Sequence, residues 1–131
     1  MTDHTEFWSA LRRLLDRHTL VIDRPQGSCH PRFPEFIYPV DYGFLEGTRA
    51  GDGKEIDVFR GSLKADTLTG ICCTADALKQ DIEIKLLYNC SDAEVASIEK
   101  ALNRGPMSCV VVLHPGSNSG FERLFSPNIR Q

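Results

Sequence analysis

The sequence lacks several features that would assign it to a specialised class of protein. Its 15 lysines and arginines stand against 18 aspartates and glutamates, for a formal net charge of −3. It therefore has no broad positive field of the kind that holds nucleic acid or an anionic membrane. The longest apolar run, residues 109–113, is far below the roughly 20 residues of a membrane span. We expect no nucleic-acid partner and no membrane attachment.

Cysteine is present without the patterns that give it a structural role. The five cysteines are odd in number, and none of them form a C-x-x-C pair. This usage favours reduced thiols. The first residues mix acids and bases where a secretory leader is apolar, so we expect a cytoplasmic protein. With 41% hydrophobic and 25% charged residues, the whole chain, 1–131, is predicted to form one globular domain.

The spacing of apolar residues predicts two helices and a set of short strands. Apolar positions recur at helical spacing over residues 5–18, within an N-terminal helical region 1–19. Ser91 and Glu94 form a capping-box pattern that begins a helix ending at Asn103. Residues 115–131 are predicted to be an irregular tail. Strands are predicted at 20–23, 37–46, 55–60, 67–74, 81–88 and 107–113. The pattern indicates a small α+β domain on a barrel-like antiparallel sheet.

Acidic residues lie inside predicted strands, where carboxylates are rare. Asp57 has apolar neighbours on both sides, Asp23 follows Val21 and Ile22, and Glu83 lies between two isoleucines. A carboxylate on an inward face is costly unless a cation compensates it. A solvent-exposed charged face is the simpler interpretation for any one strand.

The repetition of this pattern favours a phosphate site that contains a metal ion. Acids recur in several strands, and basic residues are interleaved with them: Arg24, Arg32, Lys54, Arg60 and Lys85. Clustered carboxylates beside cations suit Mg²⁺ or Mn²⁺ together with a phosphate ligand. Asp52-Gly53 alone is typical of a hairpin turn, but Asp52 and Asp57 could also share an ion.

Two segments carry a family resemblance. Tyr38-Pro-Val-Asp-Tyr-Gly-Phe44 is followed by Asp52-Gly-Lys-Glu-Ile-Asp-Val58. Together they resemble the signature of soluble family I inorganic pyrophosphatases, Y-P-x-N/D-Y-G-F/Y and then D-G-D-P-I/L-D-V. The resemblance is strongest over residues 37–60 and looser over 20–88. It implies a five-stranded antiparallel OB-like barrel with flanking helices, a cytoplasmic homo-oligomer, a requirement for Mg²⁺, with Mn²⁺ as an alternative, and a small phosphate-containing substrate.

The resemblance also implies roles for individual residues. It implies that the metal is bound by Asp52, Asp57 and Glu83, with Asp76 or Asp81 as a further ligand. It implies that Asp57, Tyr42 and Lys85 serve catalysis, and that phosphate is held by Arg32, Tyr42 and Lys85. Lys54, which departs from the family pattern, is a further candidate: it could bind phosphate or pair with Glu55. The implied reaction is Mg²⁺-dependent hydrolysis of inorganic diphosphate to phosphate by metal-activated water.

The departures from the family pattern keep two alternatives open. Lys54 replaces the middle aspartate, which in the family helps to activate water, and Glu55 replaces the proline. Asp41 or Glu46 could stand in for the lost base. The chain is also shorter than the family between Arg32 and Tyr38, and it lacks the family's C-terminal phosphate-binding pair. The alternatives are a catalytically impaired relative that binds a phosphorylated metabolite, and a hydrolase of a larger phosphoanhydride.

Overall fold

The computed structural model describes residues 4–115. Two helices and six strands follow one another along the chain. Their bounds are α1 Thr5–Arg17, β1 Leu20–Arg24, β2 Asp41–Leu45, β3 Ile56–Arg60, β4 Leu68–Asp76, β5 Asp81–Tyr88, α2 Asp92–Leu102 and β6 Met107–Leu113. The described part of the chain contains no helix that is long and apolar enough to cross a membrane.

The six strands form one mixed sheet in the order β1-β2-β3-β5-β4-β6. Neighbouring strands run antiparallel, except that β3 and β5 are parallel. The prediction of a five-stranded, entirely antiparallel barrel is therefore wrong. The parallel pair arises because β5 returns beside β3 instead of extending the sheet beyond β4. Alternating apolar residues identify strands but carry no information on which strands pair.

The sheet is also not closed. Within residues 4–115, β1 and β6 lie at opposite edges and do not pair. Part of the β6 edge is covered by a side chain: Asn103 accepts a hydrogen bond from the Cys109 N–H at 3.0 Å and donates to the Cys109 carbonyl at 3.3 Å. An amide side chain thus takes the place of a neighbouring strand at this position.

The two helices pack on opposite faces of the sheet. On the first face, here the α2 face, Ile98 and Leu102 of α2 pack with Phe59, Cys72 and Leu87. On the second, here the α1 face, the buried residues are Trp8, Leu45, Val58, Leu68, Ile71 and Leu86. Successive side chains of a strand point to opposite faces, so Lys85 shares the α2 face with Leu87.

The start of α2 is fixed by the predicted capping box. The Ser91 side chain accepts a hydrogen bond from the Glu94 N–H, and the Glu94 carboxylate accepts one from the Ser91 N–H. Glu94 also accepts the N–H of Ser62, which follows β3. Burial alone would raise the pKa of Glu94, but these hydrogen bonds outweigh it and hold the pKa below its usual range. The cap therefore also ties α2 to the end of β3.

A glycine allows β1 and β2 to approach each other closely. A Cβ atom placed on Gly43 would lie 1.8 Å from the Val21 carbonyl oxygen, which is backbone and cannot rotate away. Gly43 pairs with Ile22 in the β1–β2 ladder, beside a bulge between Ile22 and Arg24. The register of β1, which carries Arg24, depends on the absence of a side chain here.

Most of the predicted elements are confirmed. Both helices are present, and strands occupy each region in which one was predicted, although the 37–46 segment is a strand only over Asp41–Leu45. Residues 1–3 of the predicted N-terminal region and residues 116–131 of the predicted tail lie outside the described residues. The assignment of residues 1–131 to a single domain stays a prediction.

Candidate functional site

A buried lysine lies at the centre of the candidate site. Lys85 is 8% exposed and projects from β5 on the α2 face. Its ammonium group donates to the Tyr42 hydroxyl at 2.9 Å, to Asp57 Oδ2 at 3.0 Å and to Glu83 Oε1 at 2.9 Å. An ammonium group has three N–H donors, so these contacts use all of them. We call Lys85, Tyr42, Asp57 and Glu83 the lysine cluster.

The strand order explains why these four residues meet. In the sheet β2, β3 and β5 are consecutive neighbours. Asp57 follows Ile56 at the start of β3, and the parallel register pairs the next residue, Val58, with Leu86. Asp57 and Lys85 are therefore neighbours on one face. The parallel β3–β5 pair, which the sequence did not predict, is the feature that assembles the cluster.

The electrostatics of the cluster keep the lysine charged. Burial would lower the pKa of Lys85, but the adjacent Tyr42 oxygen and Asp57 carboxylate outweigh this effect and raise the pKa above its usual value. Burial also raises the pKa of Tyr42, which keeps its phenol protonated. Two carboxylates beside one ammonium carry a formal charge of about −1, and the cluster is therefore suited to a ligand that brings further cationic charge.

A second cationic side chain lies next to the lysine cluster. Arg24, at the end of β1, donates to the Tyr38 hydroxyl at 2.6 Å. Its guanidinium carbon lies 5.7 Å from the centre of the Tyr38 ring and 5.8 Å from that of Tyr42. The Tyr38 and Tyr42 rings are themselves 4.9 Å apart. Two tyrosines of the sequence motif thus connect Arg24 to Lys85.

Two predicted metal ligands lie apart from the lysine cluster. Asp52 is exposed in the turn before β3, where its Oδ1 accepts the Lys54 N–H at 2.9 Å. Asp76 is buried at the β4–β5 turn, where its Oδ1 accepts the N–H groups of Leu78 and Lys79. Cys72 is the residue of β4 that pairs with Lys85. Asp76 is four residues farther along, or about 13 Å at strand spacing.

The remaining predicted ligands are also outside the cluster. Arg32 and Lys54 are both exposed, in the loop after β1 and in the turn before β3. Asp81, the alternative metal ligand, lies 3.8 Å from the ammonium group of Lys79. The structure therefore brings together Tyr42, Asp57, Glu83 and Lys85, and it does not bring Asp52, Asp76, Arg32 or Lys54 to them. The roles of all these residues stay predictions.

The suggested substitute base, Asp41, is committed to other contacts. Its carboxylate accepts the Gln26 N–H at 2.9 Å and the Arg60 guanidinium at 3.0 Å. The Gln26 hydrogen bond is the main reason that the pKa of Asp41 is lowered. Asp41 precedes Tyr42 on β2, so the two side chains point to opposite faces. Asp41 thus stabilises the loop after β1 and does not face Lys85.

Sequence reasoning missed the contributions of Arg24 and Tyr38. Arg24 was one of several interleaved basic residues, and only the bulge after Ile22 sets the direction of its side chain. Tyr38 was visible as the first residue of the Tyr38–Phe44 motif. Two tyrosines four residues apart, on either side of a Pro-Val-Asp segment, were the available signal for a paired role.

The lysine cluster fits Mg²⁺ only in a restricted sense. Within residues 4–115, no three His, Cys, Asp or Glu side chains come together in a way that could hold a metal ion. Mg²⁺, however, commonly keeps several waters and binds through one or two carboxylates together with substrate phosphates. Asp57 and Glu83 supply two such carboxylates at one point. The donor set suits an ion that arrives with a phosphate ligand.

Comparison with known proteins gives a fold likeness. An inorganic pyrophosphatase from Neisseria gonorrhoeae superposes with a TM-score of 0.56 at 17% identity, over 84% of this chain and 87% of that one. One from Coxiella burnetii gives 0.53 at 17% identity, over 70% and 81%. No family model and no curated protein sequence matches. The chain therefore has a fold similar to that of these inorganic pyrophosphatases, at low sequence identity.

Proposed function

We propose that this chain binds a phosphate-containing small molecule at the lysine cluster and hydrolyses it with the help of Mg²⁺, with inorganic diphosphate as the first candidate substrate. One observation carries the proposal: a buried ammonium group held by a tyrosine and two carboxylates, on the pyrophosphatase fold. Lysine is almost never buried unless it is paired, and burying charges is costly, so a binding function would explain why this sheet buries a lysine together with two carboxylates.

We expect phosphate to bind by replacing one of the groups that accept a hydrogen bond from Lys85. All three donors of Lys85 are in use, so a phosphate oxygen can reach this ammonium only by replacing one of its acceptors. Asp57 and Glu83 are only partly buried, with side chains 32% and 26% exposed. Lys85 would gain a free donor when either carboxylate turned to a cation.

The roles of the chain's own residues follow from this arrangement. Asp57 and Glu83 would hold the ion, and Asp52, which lies outside the cluster in the turn before β3, would reach it only if that turn moved. Lys85 and Arg24 would bind phosphate oxygens, and Tyr42 would orient the Lys85 ammonium group. Mg²⁺, when bound, neutralises charge on phosphate oxygens and makes water more acidic. Fixed cations that face developing negative charge are a major source of rate enhancement.

A second candidate function is binding without turnover. Lys54 is the observation in its favour, because the signature has a water-activating aspartate at this position. Loss of a general base typically reduces a rate by about 10²–10⁴-fold. Such a protein would hold a phosphorylated ligand through Lys85 and Arg24 and release it unchanged.

One assay separates the two functions. Phosphate release from diphosphate is measured with Mg²⁺, Mn²⁺ or EDTA, on the native protein and on Asp57→Asn. Asp16→Asn, an exposed change on α1, is the matched control. Metal-dependent release that Asp57→Asn abolishes and Asp16→Asn preserves would support hydrolysis. Metal-dependent binding without release would support the second candidate, and neither binding nor release would overturn both.

A further inference from the structure

The loop between β1 and β2 forms an ordered aromatic surface. Its two arms are joined by backbone hydrogen bonds of 2.9 Å: the Tyr38 N–H donates to the Ser28 carbonyl, and the His30 N–H donates to the Phe36 carbonyl. At the tip, the Phe36 N–H donates to the Phe33 carbonyl, also at 2.9 Å. The loop is therefore a hydrogen-bonded hairpin that holds its side chains in place.

The rings of this loop are in continuous contact. The centre of the His30 ring lies 5.1 Å from that of Phe33 and 6.4 Å from that of Tyr38, and the His30 and Tyr38 planes are only 15° apart. Phe36 contacts Tyr38 at 5.0 Å. We call His30, Phe33, Phe36 and Tyr38 the aromatic loop. Phe33 is 52% exposed, so the aromatic loop presents a ring to solvent.

The aromatic loop leads directly to the phosphate-binding candidates. The Tyr38 ring contacts Tyr42 at 4.9 Å, and the Lys85 ammonium group lies 5.4 Å from the centre of the Tyr42 ring. Cations also surround the loop. The pKa of His30 is lowered first by burial and then by the positive charges of Arg24, Lys79, Arg32 and Lys85. Two of these cations are already paired with carboxylates, Lys79 with Asp81 and Lys85 with Asp57 and Glu83. Arg24, whose guanidinium donates to the Tyr38 hydroxyl, therefore offers the positive charge that favours an anion beside the loop.

Inorganic diphosphate has no group that would pack against the rings of the aromatic loop. Diphosphate has no flat apolar part, whereas a neutral imidazole and an exposed phenyl ring are surfaces on which a nucleobase stacks. A ligand that uses both regions must carry phosphates at one end and an aromatic ring at the other. Nucleotides have this chemistry.

We propose that the ligand of this site is a nucleoside diphosphate or a longer nucleotide, with its base against Phe33 and His30 and its phosphates toward Arg24 and Lys85. This inference rests on the proposed phosphate-binding function and names its substrate class. The base contributes affinity through stacking, and the lysine cluster recognises the phosphates.

Calorimetric titration with ADP and with diphosphate, each with Mg²⁺, tests the proposal. The native protein is compared with Phe33→Ala, with Phe33→Trp, and with Phe7→Ala as a matched control, since Phe7 on α1 is 44% exposed. Phe33→Ala is expected to weaken ADP binding by at least about fivefold while leaving diphosphate binding unchanged. Phe33→Trp should restore ADP binding, and Phe7→Ala should alter neither ligand.

The outcomes distinguish this inference from the proposed function. If ADP and diphosphate bind the native protein equally well, or if Phe33→Ala weakens both by the same factor, the nucleotide inference is overturned and phosphate binding stands. If neither ligand binds the native protein, both proposals fail. Selective loss of ADP binding in Phe33→Ala supports the nucleotide inference, and circular dichroism of each variant checks that it is folded.

Discussion

In β5, a charged side chain is buried on one face and two isoleucines are exposed on the other, which is the opposite of the usual pattern of a half-buried strand. On the α2 face, Lys85 is 8% exposed and holds two carboxylates, whereas on the α1 face Ile82 and Ile84 are 78% and 51% exposed. Alternation correctly predicts which residues share a face. It does not predict which face is covered, because that depends on where the helices and loops pack.

The apolar face extends across three strands. Ile84 pairs with Cys73, and Cys73 pairs with Val110, which is exposed. Two residues along β5 from Ile84, Leu86 is buried with Trp8 of α1. Helix α1 therefore covers one end of this face and leaves the other exposed. The charged face instead contacts Tyr42 and the neighbouring Tyr38, and Lys85, Asp57 and Glu83 on this face are hydrogen-bonded to one another.

The largest effect is expected from Lys85→Met. This change leaves two adjacent carboxylates without their shared cation, and we expect it to lower the free energy of unfolding by about 2 kcal/mol, less than for a fully buried pair because the carboxylates are partly exposed. Phosphate-ligand binding or turnover should fall by at least about 100-fold. Urea unfolding and phosphate release measure the two effects.

Lys79→Met is the matched control for this change. Lys79 is an exposed lysine in the same β4–β5 hairpin and lies 3.8 Å from Asp81, so its loss should alter the free energy of unfolding by no more than about 0.5 kcal/mol. Equal effects of the two substitutions would contradict the contrast between a buried and a solvated lysine.

A smaller effect is expected from Tyr42→Phe. The substitution removes the hydroxyl that accepts a hydrogen bond from Lys85, and we expect a loss of about 1 kcal/mol in the free energy of unfolding. Tyr88→Phe removes a hydroxyl that donates to the exposed Asp66 and should have a weaker effect. A larger loss for Tyr88→Phe would show that the buried hydrogen bond contributes little.

The pH dependence of stability separates the two faces further. His30 contacts Tyr38 of the α2 face, and His114 contacts Trp8 of the α1 face. Burial, followed by nearby positive charge, lowers both pKa values below the usual 6.5. The unfolded chain then binds protons first, so stability is retained above about pH 6.5 and is lost as the pH falls below it.

Among the described residues, four cations lower the pKa of His30, whereas Arg12 is the cation that lowers the pKa of His114. We therefore expect His30→Asn to reduce the loss of stability between about pH 7.5 and 5.5 more than His114→Asn does. Urea unfolding at both pH values provides the measurement. The reverse ranking would place the positive charge on the other face.

The smallest effect is expected from Ile84→Thr. Because Ile84 is already half exposed, the free energy of unfolding should change by no more than about 0.5 kcal/mol. The homo-oligomer expected from the family resemblance, followed by sedimentation, should be weakened, since the change interrupts a contiguous apolar patch. A loss of more than about 1 kcal/mol would mean that this face is covered in solution.

Local signals predicted much of the fold. The capping box at Ser91 and Glu94 predicted the start of α2, and Asp81–Tyr88 has the bounds expected from its alternation. The sheet order was not predictable in the same way. It depends on contacts between segments far apart in sequence, such as the pairing of Val58 with Leu86, and no local pattern encodes these.

The candidate site shows the same division. The sequence predicted Tyr42 and Lys85 as phosphate ligands and Asp57 and Glu83 as metal ligands, and the structure brings these four side chains together. Arg24 gained its position only through the bulge in β1. Asp76 had the right chemistry but lies at the far end of its hairpin, because spacing along a chain does not fix distance across a sheet.

The candidate site depends on Gly43, although Gly43 contributes no side chain to it. Even a methyl group there would overlap the Val21 carbonyl, so any replacement must push β1 outward from the sheet. Arg24 would move with β1 and lose its hydrogen bond to Tyr38, while Lys85, three strands away in the sheet order, would keep its partners. A substitution at Gly43 would therefore separate Arg24 from Lys85 and change which ligands the site prefers, while the lysine cluster itself stayed intact.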